Sequence, residues 1–169
     1  MLDVSAAGWA FVAVFAAAVC VWMVSLVRND VSIVDSLWSL MFLLMLGVYS
    51  VLADTFGPRL LLILVLVATW ALRLSILIAV RNHGEPEDSR YVEIRRNNEP
   101  HFRFKSLYIV FGLQAVLAGF ISFPLLVAAS AASALGWLDF AGVTLWLIGM
   151  YFEVLGDWQL ARFKADPLN

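Results

Sequence analysis

The chain has 169 residues, of which 63% are hydrophobic and 14% charged, with a net charge of −2 at pH 7. A water-soluble domain is usually about 45–50% apolar, so this composition excludes one and makes lipid the expected solvent, with no nucleic-acid partner. A single cysteine, Cys20, excludes an internal disulfide, and the two histidines, His83 and His101, have no ligand spacing, so no metal is expected. The first apolar run, 6–27, follows a start without a basic region and is too long for a cleaved signal peptide, so it is read as a retained span. Further runs at 33–53, 58–80, 107–129 and 137–161 are each long enough to cross the hydrocarbon core, which takes about 20 helical residues. The expected fold is an all-α polytopic membrane bundle of about five transmembrane helices, a single transmembrane domain over 1–169.

The connections are legible too. Arg28, Asn29 and Asp30 separate the first two spans, and residues 54–58 the next two, with Pro58 suited to the first turn of a helix. Pro124 predicts a kink in the fourth span, and the Ala- and Ser-rich residues 128–136 form the last connection. The one long polar stretch, 81–105, mixes six cations with five acids and is read mainly as a solvated loop. Its basic end (Arg95, Arg96, Arg103 and Lys105) is the part able to attract phosphate or anionic head groups. Nine cations fall on the side of the first connection, this loop and the C-terminal tail, against Arg59 alone on the other. The positive-inside rule then places the N-terminus outside, with the loop and C-terminus in the cytoplasm.

Polar residues within the spans carry the functional expectation, because a charge near the bilayer centre costs about 2.5–3.5 kcal/mol on insertion scales. Glu153 and Asp157, four residues apart, share one face of the last helix. At 1.5 Å per residue, Arg73 lies about 12 Å deep, Gln114 and Glu153 about 13 Å, and Asp35 and Asp157 about 7–8 Å. Ser32, Asp35, Ser36 and Ser39 add a polar stripe to the second span. Four helices thereby contribute to one layer, expected to line a cavity open to the cytosol, with Arg73 and Glu153 in contact directly or through water. The structural alternatives are an Arg73 pair with the acids that fixes helix packing, an Asp35 that caps or snorkels, and a Gln114 that makes a packing hydrogen bond. The tryptophans read as interfacial anchors. Gly142, Gly149 and Gly156, seven residues apart, read as a site of close helix approach.

Several motifs in order carry a resemblance over nearly the whole chain: Val31-Ser-Ile-Val-Asp35-Ser-Leu-Trp38, Trp70-Ala-Leu-Arg73-Leu, Glu87-Asp88-Ser-Arg90-Tyr91, Phe111-Gly-Leu-Gln114 and Gly156-Asp157-Trp158-Gln159-Leu-Ala-Arg162-Phe-Lys164-Ala-Asp166-Pro167. With these the chain resembles the steroid 5-alpha-reductase-like membrane proteins, in their broad uncharacterised bacterial branch. The resemblance implies an oxidoreductase acting on CH–CH bonds, in a bacterial inner membrane, that uses NADPH to reduce an apolar enone such as a lipid, sterol or isoprenoid. It implies Glu153, Asp157, Arg162 and Lys164 as cofactor-binding residues, Arg73 and Gln114 as donors at the reacting carbonyl, and Asp35 on the substrate side. Glu153 stands where the reductases carry asparagine, which keeps an acceptor and loses a donor. Their glutamine–glutamate pair for the steroid has no counterpart. Family members continue past Ala165-Asp166-Pro167 into an Arg-His-Pro-type motif and closing helices, so the chain ending at Asn169 is expected to hold only part of the site and to be inactive alone. The alternatives are a membrane methyltransferase of lipid or isoprenyl substrates, which would bind S-adenosylmethionine, and a non-catalytic helical protein that binds a partner.

Overall fold

The computed structural model describes residues 4–53, 56–131 and 134–166, and among these every element is helical. Asp54 and Thr55 of the second turn and Pro167 of the last motif lie outside the described residues. Five helices are long and apolar enough to cross a membrane: Ser5–Arg28, Ile33–Leu52, Pro58–Arg81, Phe102–Ile121 and Trp137–Ala165. The chain is an all-α membrane protein, as its composition predicts. It divides into two compact units, Met1–Ala132 and Ser133–Asn169.

In the first unit, α1 (Val4–Arg28) packs against α2 (Ile33–Leu52), and α2 against α3 (Pro58–Arg81). The packed face of α1 is a row of small residues, Ala6, Ala10, Val14 and Ala18, each at most 2% exposed. Small side chains at i, i+4 let two backbones approach closely, which is how helices associate where lipid removes the hydrophobic drive. The opposing side of α2 buries Val34, Met41, Met45 and Leu46. A polar contact also ties α2 to α3: the buried Ser39 hydroxyl donates to the Ala71 carbonyl at 2.8 Å. Beside it Phe42 meets Trp38 and Trp70 edge-on, with centroids 5.2 and 5.8 Å apart. Trp38 and Trp70, both half-buried, therefore take part in interhelical packing.

Pro58 sits in the first turn of α3 as expected, with Gly57 as its cap. The fourth span differs most from expectation. It starts at Phe102 instead of 107, as α5 (Phe102–Ser106), continues through a π-helical turn at Leu107–Gly112, and resumes as α6 (Leu113–Ile121). Phe102 is 1% exposed, so this aromatic residue pulls the polar stretch before it into the fold. The expected kink falls at Ser122, and Pro124 occupies the first turn of the next helix, α7 (Phe123–Ala129). The break is satisfied internally: Ser122 Oγ lies 3.0 Å from the Gly119 carbonyl, 3.0 Å from Met45 Sδ and 3.2 Å from Tyr49 Oη.

The loop between α3 and α5, most of it exposed, is also a folded element. It contains α4 (Ser89–Asn97), capped by Asp88, whose carboxylate accepts the Arg90 N–H at 2.9 Å. Tyr91 at 6% exposed is its buried foot.

The second unit is α8 (Trp137–Ala165), started by Asp139, which accepts the Gly136 N–H at 2.7 Å. None of its residues is fully buried.

Candidate functional site

The polar groups of the first unit gather where α1 ends and α2 begins. Asn29 takes a left-handed conformation (φ 53°) that turns the chain after α1. Asp30 then accepts the Ser32 N–H at 2.8 Å, an Asx-type turn that starts α2. Onto this corner the 81–105 stretch closes with two ion-pair systems.

The first is built on Asp35, only two residues inside α2. It is about 3 Å from the helix end, shallower than the sequence count because residues 29–31 are not helical. Tyr91 donates to Asp35 Oδ1 at 2.6 Å, and Arg90 Nη2 donates to Asp35 Oδ2 at 3.0 Å. The same guanidinium grips both oxygens of Asp88 at 3.0 Å, and Ser32 Oγ accepts the Asp88 N–H at 2.8 Å. The electrostatics follow the geometry. Hydrogen bonds from the Arg90 side chain and backbone hold the Asp88 carboxyl below its ordinary value. Burial, and then the Asp35 carboxylate it bonds, push the Tyr91 phenol up, and the Asp88 bond raises Arg90.

The second system is Glu87 with Arg95. Arg95 donates from Nη2 to Glu87 Oε1 at 2.7 Å and from Nε to Oε2 at 3.0 Å, a bidentate pair. Glu87 Oε1 also accepts the Val31 N–H at 2.9 Å, and Arg95 Nη2 reaches the Asn29 carbonyl at 3.2 Å. The Arg95 guanidinium stacks 4.6 Å from the Phe102 ring centroid. Arg103 donates to the Leu26 carbonyl at 2.9 Å and Lys105 to the Asn98 carbonyl at 2.9 Å. Of the four cations expected to attract phosphate, these three are thus engaged within the chain. Trp22, another expected anchor, donates its indole N–H to the Arg103 carbonyl at 3.1 Å.

The residues singled out in the sequence are divided between the two units. Asp35 has a partner for each oxygen, Arg90 and Tyr91, neither of which the sequence had paired with it. Arg73 is half-buried on α3, and Gln114 is half-buried in the first turn of α6, directly after the π-helical turn. On α8, Glu153 and Asp157 are half-buried and share a face, Lys164 is exposed, and Arg162 lies 4.8 Å from the Trp158 ring centroid. No cluster of three or more metal-ligating side chains occurs among the described residues.

As donor chemistry, the α8 set suits a dinucleotide. Carboxylates on one face accept from hydroxyl or amide N–H groups, and cations at the helix end, Arg162 and Lys164, suit phosphates. In the first unit, the docked loop is an ordered cover over the polar end of α1 and α2. Residues 21–169 match the family described as a protein of unknown function, DUF1295. No curated protein and no solved structure matches the chain.

Proposed function

The chain belongs to the DUF1295 family, and from that premise we propose that it serves a membrane-embedded, NADPH-dependent reduction of an apolar enone. The observation that carries the reading is the pair of half-buried carboxylates, Glu153 and Asp157, on one face of a membrane-crossing helix. Intramembrane acids are costly and mark ligand or ion sites. Each role is assigned within its own unit. On α8, Asp157 and Glu153 would accept from the ribose hydroxyls or the carboxamide of the cofactor, and Arg162 and Lys164 would take its phosphates. When bound, the nicotinamide supplies the hydride. In the first unit, Arg73 and Gln114 are donors for a carbonyl oxygen as negative charge develops on it, and the apolar surroundings strengthen that interaction. Asp35 acts as a positioning residue, through the loop that Arg90 and Tyr91 tie to it. The reading further assigns the loop and the C-terminal end of α8 to the cytosolic side of a bacterial inner membrane, where the cofactor is available.

The test is NADPH binding to the purified chain in lipid nanodiscs. Asp157→Ala is expected to weaken it at least tenfold, and Leu147→Ala, on an exposed part of the same helix, to leave it unchanged. Equal NADPH affinity in wild type and Asp157→Ala removes the assignment. Tight binding of S-adenosylmethionine instead would move the chain to a methyltransferase reading.

A further inference from the structure

A polar cleft of about 650 Å³ lies in the first unit, lined by neither Arg73 nor Gln114. Its walls come from the end of α1, the first turn of α2, the end of α3 and the residues that follow it. Its polar lining includes Arg28, Asp30, Ser36, Asn82, His83 and Glu85. Among the described residues, no hydrogen bond or ion pair engages the side chains of Arg28, Ser36, His83 or Glu85. This contrasts with Glu87, also in the lining, which is spent on Arg95 and on the Val31 N–H.

Position and chemistry narrow what the cleft takes. Two spanning helices end at it, α1 at Arg28 and α3 at Arg81, and α2 begins at it with Ile33. The cleft therefore lies at the level of the lipid head groups. Ile33 and Ala79 line its side toward the spans, so a ligand there can continue into apolar surroundings. The volume falls within the range of about 300–1,000 Å³ typical of small-molecule sites. Both signs of charge are present: an anionic head group would face Asp30 and Glu85, and a purely cationic one would face Arg28.

We infer that this cleft binds the head group of a zwitterionic aminophospholipid, a phosphate diester carrying a primary ammonium. The ammonium, with three donors, is received by the Glu85 and Asp30 carboxylates, and the phosphate by Arg28 with Asn82 and Ser36 as hydrogen-bond donors. A quaternary ammonium has no N–H to give those carboxylates, so phosphatidylcholine is the discriminating comparison.

Native mass spectrometry of the full chain in detergent, with dioleoyl lipids added at equal concentration, tests this. Phosphatidylethanolamine is expected to bind at least tenfold more tightly than phosphatidylcholine or phosphatidylglycerol. Glu85→Gln should abolish the preference over phosphatidylcholine, and Arg28→Gln should weaken both lipids. Both side chains lack partners in the fold, so neither change should move the melting temperature. Glycerophosphoethanolamine, the same head group without chains, should compete only at much higher concentration. Equal binding of the three lipids, tighter binding of phosphatidylglycerol, or a preference that survives both substitutions would overturn the assignment. Competition by glycerophosphoethanolamine at the lipid's own concentration would assign the cleft to a soluble phosphoamine, and so overturn the lipid.

Discussion

Replacing Glu87 by alanine removes the acceptor for both Arg95 bonds and for the Val31 N–H. Losing one partner of a buried ion pair costs about 3–5 kcal/mol, and each hydrogen bond to a charged group is worth about 1.5–3 kcal/mol. Glu87 is 12% exposed but Arg95 is 26% exposed, so the freed guanidinium is partly rehydrated and the lower end applies, about 3 kcal/mol. That corresponds to about a hundredfold rise in the population with the loop undocked. Trypsin cleavage at Arg96, in detergent where both faces are accessible, reads that population directly when opening is fast relative to cleavage. Glu87→Gln keeps an acceptor for Val31 and loses only the charge, so about a tenfold rise is expected there. In a double-mutant cycle with Arg95→Met, Glu87→Ala should cost only what its Val31 bond contributes, well short of its cost in the wild type. Wild-type cleavage rates in Glu87→Ala, or costs of the two substitutions that simply add, would refute the latch.

Loop docking should be flat from about pH 5 to 9 and weaken on either side. The stabilisation from Asp88, whose value is lowered in the fold, is complete above the ordinary carboxylate range and disappears as pH falls through the depressed value. That from Tyr91, whose value is raised, is complete below the ordinary phenol range near 10 and disappears as pH climbs through the raised one. Tyr91→Phe should remove the latest-titrating component of phenolate absorbance. A Cβ at Gly112 would stand 3.0 Å from the Leu107 carbonyl oxygen, so Gly112→Ala should cost about 1–3 kcal/mol in unfolding experiments. The proposed orientation is checked in a Cys20→Ser background, since Cys20 is exposed. Asn97→Cys should resist an impermeant thiol reagent added outside intact cells, and Gly57→Cys should react. Reversed labelling would move the loop to the outer face.

The spans were readable because length and apolarity alone determine what crosses a bilayer. Boundaries near Asp54 and Pro58 followed from turn residues that act locally. The folding of 81–105 escaped the same reading, because its charges were summed and not paired. The local signals were present: Asp88 as a cap, Tyr91 and Ile94 three residues apart, and Arg95 and Arg96 at the helix end, where the dipole favours cations. What no local pattern supplies is that Arg90 crosses 55 positions to Asp35, and that Glu87 crosses 56 to the Val31 amide. Those pairings depend on α1, α2 and α3 first bringing their ends together. The intrachain contacts of Trp22 and Trp38 escaped that reading for a related reason. An aromatic residue near a helix end suits the head-group layer and an intrachain pocket equally well, and only the neighbours decide.

The π-helical turn at Leu107–Gly112 gives the fourth span a phase offset. Each residue of an α-helix advances the side-chain direction by about 100°, and a π turn absorbs one residue more than an α turn. Phe102 and Gln114 therefore belong to two helical registers joined by a single surplus residue. The register before the turn seats Phe102 under Arg95, and the one after it aims Gln114 and the buried Ala115 and Ala118. Deleting one residue between 107 and 112 would restore a continuous α-helix and swing one half about 100° against the other, so that only one of the two faces stays seated. The turn is thus a one-residue gear, letting the loop-bearing end and the membrane-buried end of one helix answer to different neighbours.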